Sequence, residues 1–570
     1  MVNPPIGRGH IGRGGLEQRR AGTRRHFLAL AMVLAVGAAL RIVGLGRESL
    51  WADEALTLVL ANWPVGDMLM QPTDPTPLLY YLLHKLLVPA GAGVEAARSI
   101  SLAAGLLSIG AIYSVGRLAF GRRGGLLAAA FLAVWGAHIA YSQEARAYSL
   151  LFLLTLGSAA GLLWWFRESG KDEASRIGPV PARRVALALF ATATVLSFYT
   201  HLVSIFWIAL ALQILVSLTQ RTRPKRCLVE VGITLAAMGL LAIPGLVRLT
   251  REVATPDAFH WLPQQGPTGF LSTTADLLLP AGLWANPWIE ALGLGGVAKA
   301  AIGFGLAAGL VLLLVRAARA RPGLWASHSA TMAVILAFLA LPPLLWLFGY
   351  VARPLFMPRT ILFAIPGMIL LIVAVIGTLR RERMKRAASA IAIAAFLLPM
   401  LLHGTTRQKE DWRGANAALA GRARPGDLIV ICPGWKYPAF RHAAARPVPG
   451  AALVQFGPVP LLLERSFGSD QQWEQTYFRS VTEPVIRSWI GGIARPHRRG
   501  QIALAPGTAV WLVASECPQE EMRNLGRWLG TDGWTHIWQS AATPDHAGIR
   551  IARYAPARPI AGPVLLPPGP

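Results

Sequence analysis

Two adjacent carboxylates, Asp53 and Glu54, lie in the stretch "LWADEA", a few residues beyond the first apolar segment of the chain. A carboxylate within hydrogen-bond reach of a hydroxyl group can accept its proton while the oxygen attacks an electrophile, so this pair could supply a general base. Acid pairs are also common in ordinary loops. The other polar groups of the chain decide between these two interpretations.

Further groups suited to chemistry occur in four short stretches. They are Asp74 and Lys85 in "QPTDPTPLLYYLLHK", Glu144, Arg146 and Tyr148 in "YSQEARAYS", His201 in "FYTHL", and Arg353 and Arg359 in "YVARPLFMPRTILF". Arginine is a typical ligand of phosphate esters because its guanidinium group donates two hydrogen bonds at once. On one side of a membrane, such a set would suit an anionic lipid-linked substrate at the bilayer surface. The alternative is a set of polar loop residues with no common site.

The composition is that of a membrane protein. Of the 570 residues, 54% are hydrophobic and 15% are charged, whereas a soluble globular protein carries about 25% charged residues. Lysine and arginine number 55 against 29 aspartates and glutamates, which gives a net charge of +26. The basic residues lie mostly in short clusters between apolar segments. This arrangement is typical of cytoplasmic membrane loops and not of a nucleic-acid-binding surface.

Apolar segments, most of them near the length of about 20 residues that crosses a bilayer, occupy much of the chain between residues 26 and 403. We expect about 11 transmembrane helices, at 26–45, 96–118, 124–142, 146–166, 184–200, 202–219, 228–247, 295–315, 327–350, 359–379 and 387–403.

Basic clusters precede the first segment and follow every even-numbered one. A single orientation, with a basic cytoplasmic N-terminus at 1–25, explains all of these clusters. The sequence therefore predicts a multi-pass protein of the cytoplasmic (inner) membrane. Loops 46–95 and 248–294, and the chain after residue 404, then face outward. The apolar "PTPLLYYLLHKLL" is too short to cross, so we expect a helix lying in or re-entering the outer interface.

The region 404–555 has more charge, proline, glycine and tryptophan than the segments before it. Short apolar runs at 427–432, 508–514, 535–541 and 549–555 predict strands, and 411–420 and 518–530 predict helices. We expect a C-terminal extracytoplasmic α/β domain here. It is followed at 556–570 by a proline-rich tail whose composition is typical of disordered chain.

Three cysteines, Cys227, Cys432 and Cys517, are too few for a disulfide scaffold, and their spacing matches no zinc site. Nothing in the sequence brings two of them together, so buried thiols are the expectation. A single disulfide between Cys432 and Cys517 in an oxidising compartment is the alternative.

The order of these stretches resembles the type C membrane glycosyltransferases, in the branch that holds the protein O-mannosyltransferases and the lipid A aminoarabinose transferases (ArnT-like). The resemblance covers about residues 26–380 and rests on four features. They are a first span that ends in an arginine followed by "LWADEA", a "D-x-TPLLYYLLHK" element, the block "FGRRGGLLAAAFLAVWGAHIAYSQEARAY", and "RPLFMPRTILFAIP".

The resemblance implies a multi-span enzyme with a soluble domain outside, which takes a sugar from a polyprenyl phosphate and passes it to an acceptor at the outer face. Asp53 matches the position of the family's catalytic acid and would be the general base of an inverting displacement. Arg359 matches the family's arginine at the start of a late span and would bind the donor phosphate. Glu54 would orient the acceptor or Asp53, or pair with a nearby arginine.

The other candidates each have a structural alternative. Arg146, Arg353 and Lys85 would bind the donor phosphate, although a lysine in an interfacial helix could equally extend to the membrane surface. Arg146 could instead be held by Glu144 as an ion pair. His201 could be a phosphate donor, a metal ligand or a structural residue of its turn. Tyr148, Asp74 and Glu144 would support the site.

One departure from the family bears on metal binding. Where members often have "HPP" or "PPL" before the tyrosines, this chain has "DPTPL" beginning at Asp74. The histidine that could serve as a ligand is therefore missing. Asp53, Asp74 and Glu144 could hold a divalent cation only with several oxygens in good geometry. We predict no metal and no cofactor.

The predicted partners are a polyprenyl-phosphate sugar donor, membrane lipid, and a glycan, lipid or protein acceptor. A transporter or flippase of a lipid-linked sugar would explain an outer anion site but not the acid pair. A non-enzymatic assembly protein of the envelope would leave both features without a role. The sequence therefore favours the transferase.

Overall fold

The computed structural model covers the membrane region and part of the C-terminal region. The described residues are 13–70, 78–89, 91–169, 182–222, 225–253, 264–278, single positions between 301 and 319, 329–403, 409–424, 427–432, 436–443, 452–455, 509–515, 534–539 and 549–556. Within them, helices form the chain up to residue 403, and a sheet with two short helices follows.

The helices in chain order are α1 (Arg13–Ile42), α2 (Ala52–Ala61), α3 (Val65–Met70), α4 (Leu78–Leu87), α5 (Val94–Ala133), α6 (Gly136–Ser142), α7 (Tyr148–Ser169), α8 (Ala182–Phe198), α9 (Ser204–Thr222), α10 (Lys225–Val253), α11 (Pro267–Leu278), α12 (Ser329–Val351), α13 (Ile365–Thr378) and α14 (Glu382–His403). Among the described residues, five helical stretches are long and apolar enough to cross a membrane. They are Gly22–Ile42, Val94–Ala133, Tyr148–Ser169, Cys227–Thr250 and Ser329–Val351. The chain is therefore a membrane protein.

Helices occupy the predicted apolar segments, except that 295–315 lies largely outside the described residues. Shorter apolar helices cover Leu78–Leu87, Ser204–Gln220 and Leu362–Thr378. The prediction of helices is thus confirmed where it can be compared. The number of membrane crossings stays a prediction.

Helix α5 is a hairpin of two arms and not one long rod. Gly121 has φ 79° and ψ −177°, a backbone conformation that ends a helix and that glycine adopts without strain. A Cβ on Gly125 would lie 2.5 Å from the carbonyl oxygen of Tyr113, although in an unbroken helix these residues would be about 18 Å apart. The two arms therefore run back along each other, as the separate predicted segments 96–118 and 124–142 require.

The main core lies between the helices of the membrane region. Trp135, Trp165 and Trp207 are completely buried, and the Trp207 ring stacks on Phe338 of α12 at 4.2 Å between ring centroids. A Cβ on Gly161 would lie 2.6 Å from the backbone nitrogen of Phe190, so glycine permits the close approach of α7 to α8. This packed bundle holds the loops between the helices in fixed positions.

Helix α4 covers the apolar stretch for which an interfacial helix is predicted, and it is half-buried. Tyr80, Tyr81 and His84 face inward, whereas Lys85 is exposed. The Tyr80 hydroxyl lies 2.6 Å from the Ser101 hydroxyl of α5 and α4 packs against α2, so this short helix helps to hold α2 in place.

The C-terminal region contains a five-stranded mixed sheet. Its strands are β1 (Leu428–Cys432), β2 (Ala452–Gln455), β3 (Val510–Ser515), β4 (Trp534–Gln539) and β5 (Ile549–Pro556), in the order β2-β1-β3-β5-β4. Strands β2, β1 and β3 are parallel, and β5 pairs antiparallel with both β3 and β4. Two helices join them, α15 (Trp412–Ala420) and α16 (Tyr437–Ala443).

The predicted strands and the helix at 411–420 are present, and Asp411 caps α15 by accepting a hydrogen bond from the Gly414 amide at 2.9 Å. Strand β2 was not predicted, because four residues give too short an apolar run. The helix expected at 518–530 and the tail at 556–570 lie outside the described residues, apart from Pro556.

One cysteine differs from the expectation of buried thiols. Cys432, at the end of β1, is disulfide-bonded, so that expectation is wrong for this residue. Cys227, near the start of α10, is a free and buried thiol. Cys517 lies outside the described residues. Disulfides persist in oxidising compartments and rarely in the cytoplasm.

Candidate active site

The acid pair opens helix α2. Trp51 precedes the helix with extended backbone, and Asp53 and Glu54 lie in the first turn. Negative charge is favourable there because unpaired amide groups give a helix N-terminus partial positive charge. Side chains of neighbouring residues diverge by about 100° around a helix. The Asp53 side chain accordingly keeps 23% of its surface exposed, whereas the Glu54 side chain has none.

Asp53 pairs with Arg359. The Asp53 Oδ2 atom lies 3.2 Å from Nη1 of Arg359, across 306 positions of sequence. Arg359 belongs to the loop between α12 and α13, and its Nε donates to Met357 Sδ at 2.7 Å. Its guanidinium carbon lies 5.8 Å from the Trp51 ring centroid. The two residues that the sequence predicts as base and phosphate ligand are therefore in contact.

Arg146 lies beside the same turn of α2. It is 3% exposed, and its Nη1 is 3.4 Å from the Asp53 carbonyl oxygen and 3.5 Å from the Thr57 hydroxyl. The Thr57 hydroxyl in turn donates to the Asp53 carbonyl at 3.0 Å. Arg146 thus brings a second guanidinium group to the start of α2.

Aromatic rings border these guanidinium groups. The Tyr148 ring lies 5.9 Å from the Arg146 guanidinium carbon, 5.5 Å from the Tyr141 ring and 5.4 Å from the His201 ring. Burial alone would lower the pKa of Arg359, but the neighbouring Tyr148 and Asp53 hold it above its usual value. Arg359 is therefore a permanent cation in this site.

His201 has a structural contact within its own turn. Its Nδ1 accepts a hydrogen bond from the Val203 amide at 3.2 Å, and only 2% of the residue is exposed. This contact is of the structural kind predicted as one alternative for the histidine, and its ring lies beside Tyr148.

Glu54 has the ion pair that was predicted as its alternative to a catalytic role. Arg98 of α5 holds both of its oxygens at 2.8 Å, and Lys409 lies 3.2 Å from Oε2. The Ala145 amide donates to Oε1 at 2.7 Å. Burial would raise the pKa of Glu54, but Lys409, Arg98 and the Ala145 amide together lower it to about 2. Glu54 is a buried, ionised anchor of α2.

The guanidinium group of Arg98 also binds the loop before α2. Besides Glu54, it donates to the carbonyl oxygens of Leu45 at 2.6 Å, Glu48 at 3.2 Å and Ser49 at 3.1 Å. It therefore fixes the loop between α1 and α2 as well as the first turn of α2. An arginine has five N–H donors, and these contacts engage all of its nitrogen atoms.

The stretch "YSQEARAYS" connects the neighbouring elements. Gln143 donates to the carbonyl oxygens of Arg41 at 3.0 Å and Val43 at 2.9 Å, at the end of α1. Ala145 binds Glu54 as described above, and Ser149 donates to the Tyr141 carbonyl at 2.9 Å. Most of the motif therefore holds the site together, while Arg146 contacts the Asp53 carbonyl oxygen and Tyr148 borders Arg146.

The remaining candidates lie elsewhere. Lys85 donates to the Trp63 carbonyl at 2.9 Å, close to the C-terminus of α2 and away from Asp53 at its start. Arg353 is half-buried in the loop that carries Arg359. Glu144 is 4.0 Å from Lys409. Asp74 and most of loop 248–294 lie outside the described residues.

Metal binding at Asp53 depends on the groups around it. The Asp53 carboxylate contacts the guanidinium group of Arg359, whereas hard divalent cations need several oxygen ligands. In the part of the chain that the structure describes, no group of three or more His, Cys, Asp or Glu side chains could hold a metal.

Sequence reasoning missed Arg98 and Lys409. Arg98 had a signal, because a charged residue at the edge of an apolar membrane segment is costly and therefore functional or paired. The local sequence around Lys409 gives no such signal, since its partner Glu54 lies 355 positions away.

Comparison with known proteins gives a likeness in structure only. No protein-family model and no curated protein matches the sequence. The fold is similar to the crystal structure of ArnT from Cupriavidus metallidurans in the apo state, with a TM-score of 0.54 and 15% identity over 94% of this chain and 98% of that chain. The form of that protein bound to undecaprenyl phosphate gives a TM-score of 0.51 and 14% identity over 92% and 97%.

ArnT is an aminoarabinose transferase of the type C glycosyltransferases. At this level of identity the similarity shows the fold alone. The resemblance to this class, predicted from the motifs, is therefore confirmed for the fold.

Proposed function

We propose that this chain is an integral-membrane glycosyltransferase that moves a sugar from a polyprenyl phosphate to an acceptor at the outer face of the cytoplasmic membrane. The observation that carries the proposal is the contact of Asp53 with Arg359 at 3.2 Å, with Arg146 beside the same helical turn. A partly exposed carboxylate next to two guanidinium groups offers a base and a phosphate site in one place. The ArnT structure with undecaprenyl phosphate supports the choice of a lipid phosphate.

The chemistry follows from these residue types. The acceptor oxygen forms a bond to the anomeric carbon while the bond from that carbon to the phosphate oxygen breaks. The acceptor proton moves to the Asp53 carboxylate, and the bonding electron pair leaves with the polyprenyl phosphate. A single displacement of this kind inverts the anomeric carbon.

The guanidinium groups stabilise the leaving phosphate. Its charge grows as the bond to the sugar breaks, and preorganised cations are most effective where charge develops. A guanidinium has five N–H donors, so Arg359 can hold Asp53 and a phosphate oxygen together. Arg146 supplies the second cation. The proposal includes no metal, because the described donors around Asp53 are basic.

Two observations support an outward-facing site. Beyond its first turn, the first arm of α5 runs from residue 98 to residue 120. This length of about 33 Å matches the thickness of a bilayer core. The basic turn with Arg122 and Arg123 therefore lies a membrane thickness away from Arg98 and the acid pair. Cys432 is disulfide-bonded, which suits an oxidising compartment outside the cytoplasm for the C-terminal region.

A transfer assay in detergent tests the proposal. The purified protein receives radiolabelled lipid-linked sugars extracted from membranes of cells that lack the gene, together with envelope material from the same cells. We expect label to move to an acceptor with the wild-type chain and not with Asp53→Asn. A pure transporter needs a sealed bilayer, so transfer in detergent excludes that function.

The sugar itself follows from a comparison of cells with and without the gene. The envelope glycans, lipids and glycoproteins of the deletion strain should lack one residue of defined mass, which identifies the sugar and the acceptor class. If the two envelopes are identical and Asp53→Asn has the wild-type phenotype, a non-enzymatic role in envelope assembly replaces the proposal.

A further inference from the structure

We infer that Lys409 is a positioning residue of the transferase reaction, through which the C-terminal region sets the place of Asp53. The inference rests on the proposed function. Lys409 lies three positions before Trp412, the first residue of α15 in the C-terminal region, yet its side chain is only 8% exposed and contacts the acid-bearing helix of the membrane region.

The contacts of Lys409 are with the anchors of α2. Its Nζ lies 3.2 Å from Glu54 Oε2, 3.4 Å from the Gln143 carbonyl oxygen and 4.0 Å from Glu144 Oε1. Lys409 also lines one small cavity together with Glu48 of the loop before α2. One residue of the C-terminal region therefore joins the loop before α2, the first turn of α2 and the turn before α7.

Other contacts seat the C-terminal region on the same elements. Arg413 of α15 donates through its backbone amide to the Ser49 hydroxyl at 3.1 Å and through its side chain to the Gly46 carbonyl at 2.9 Å. Helix α16 packs against α2. A single buried cluster contains Leu50 and Ala55 together with Trp412 of α15 and other residues of the sheet and its helices.

The charges explain why Lys409 matters for position. Glu54 and Glu144 face the same buried space, with Glu48 beside it, and Arg98 and Lys409 supply its positive charge. Without the ammonium group this space holds one cation fewer, and buried carboxylates repel each other strongly. Glu54 would then move or take up a proton. Because Asp53 is the preceding residue in the same helical turn, it would move as well.

The size of the effect follows from geometry. A misplacement of about 1 Å at a reacting group can cost roughly a hundredfold in rate. In the proposed function the donor phosphate is also held by Arg359, which comes from the loop before α13. A shift of α2 should therefore lower the maximal rate much more than it weakens donor binding.

The chain offers a matched control in Lys436. This lysine is 1% exposed and pairs with Glu410, so it is also a buried ammonium group of the C-terminal region. It contacts Glu410 and, at 3.3 Å, the Ser515 hydroxyl, and both partners lie within the C-terminal region. Lys409→Met and Lys436→Met therefore remove the same group from sites that differ in their contact with α2.

The experiment compares wild type, Lys409→Met, Lys409→Arg and Lys436→Met as full-length protein in detergent. The donor is the radiolabelled lipid-linked sugar extract, and the maximal rate and half-saturating donor concentration are measured. Amide hydrogen exchange of residues 55–61 is measured in parallel, because this reading does not depend on activity.

The inference predicts a maximal rate at least tenfold lower in Lys409→Met, with half-saturation within twofold of wild type. It predicts faster exchange in α2 for this variant alone, and rates within threefold of wild type for Lys409→Arg and Lys436→Met. If Lys409→Met does not accumulate as folded protein, Lys409→Gln takes its place, since it keeps an N–H donor but removes the charge.

An equal loss in Lys409→Met and Lys436→Met, or a wild-type rate in Lys409→Met, would overturn the inference. So would unchanged exchange in α2. If the wild-type chain transfers no sugar, the proposed function fails, and the exchange comparison still tests whether Lys409 positions α2.

Discussion

Asp53 and Glu54 are neighbours in the chain, but their carboxylates have different environments and different partners. Asp53 lies at the surface of the site, 3.2 Å from Arg359. Glu54 is completely buried and bound by Arg98 at 2.8 Å. A rotation of about 100° around the helix thus separates a carboxylate that is partly exposed from one that holds the helix in place. The two acids should respond differently to substitution.

Asp53→Asn should abolish transfer while the protein stays folded. The amide has the shape of the carboxylate but cannot accept the acceptor proton, and a general base contributes roughly a hundred- to ten-thousand-fold in rate. The measurement is the transfer rate in detergent, with the melting temperature as control for folding. Transfer within threefold of wild type would remove Asp53 from the role of base.

Glu54→Gln should destabilise the protein. Removal of one partner from a buried ion pair costs about 3–5 kcal/mol, because the remaining charges of Arg98 and Lys409 lose their compensation. We expect a lower melting temperature and less folded protein than for Asp53→Asn, which serves as the matched acid-to-amide control. Equal melting temperatures for the two variants would contradict the assignment of Glu54 as an anchor.

The pKa of Glu54 predicts an acid limit of stability. Its pKa is lowered from 4.5 to about 2 in the folded protein, chiefly by Lys409 and Arg98 against the opposing effect of burial. The folded state therefore binds this proton less readily than the unfolded state. The stabilisation is complete above about pH 4.5 and is lost as the pH falls towards 2.

Thermal unfolding of wild type and Glu54→Gln between pH 7 and pH 3 measures this contribution. The difference between the two melting temperatures should be constant at neutral pH and shrink below about pH 4.5. A difference that stays constant down to pH 3 would show that the Glu54 charge does not contribute to stability in this range.

Arg359→Lys should be a severe change at the phosphate site. Lysine keeps the positive charge but presents no planar pair of donors, and the exchange is not conservative where two oxygens are bound. We expect undecaprenyl phosphate to bind more weakly and the transfer rate to fall by roughly a hundredfold, as for other preorganised donors to a developing negative charge. Wild-type affinity and rate in this variant would place the phosphate elsewhere.

The sequence allowed the helices to be predicted, and it placed Asp53 and Arg359 in one candidate site. Apolar length identifies membrane helices because the bilayer fixes the length that must be apolar. Asp53 and Arg359 could be placed on one side from the basic loops, and their motifs suggested a common site. Their contact at 3.2 Å agrees with that prediction.

The anchors around Glu54 could not be predicted as a set. Arg98 and Lys409 lie 44 and 355 positions away from it. Ion pairs between distant segments leave no periodicity or spacing in the local sequence. The hydrogen bond of Lys85 could not be predicted either, because its contact with the Trp63 carbonyl depends on how α4 lies against α2.

The orientation of the chain can be tested with single cysteines at two exposed positions. Arg47 lies in the loop before α2, close to the acid pair, and Arg123 follows Gly121 at the far end of the first arm of α5, where its side chain is 91% exposed. In spheroplasts, a maleimide that cannot cross the membrane should label Arg47→Cys and should label Arg123→Cys only after lysis. The wild-type chain gives the background from its own cysteines.

This result would put Asp53 in the same compartment as the outer end of the helices, which a lipid-linked donor and an external acceptor both require. Labelling of Arg123→Cys in intact spheroplasts, with Arg47→Cys protected, would put the acid pair in the cytoplasm. The guanidinium and carboxylate groups would still form a site, but its substrates would have to come from inside the cell.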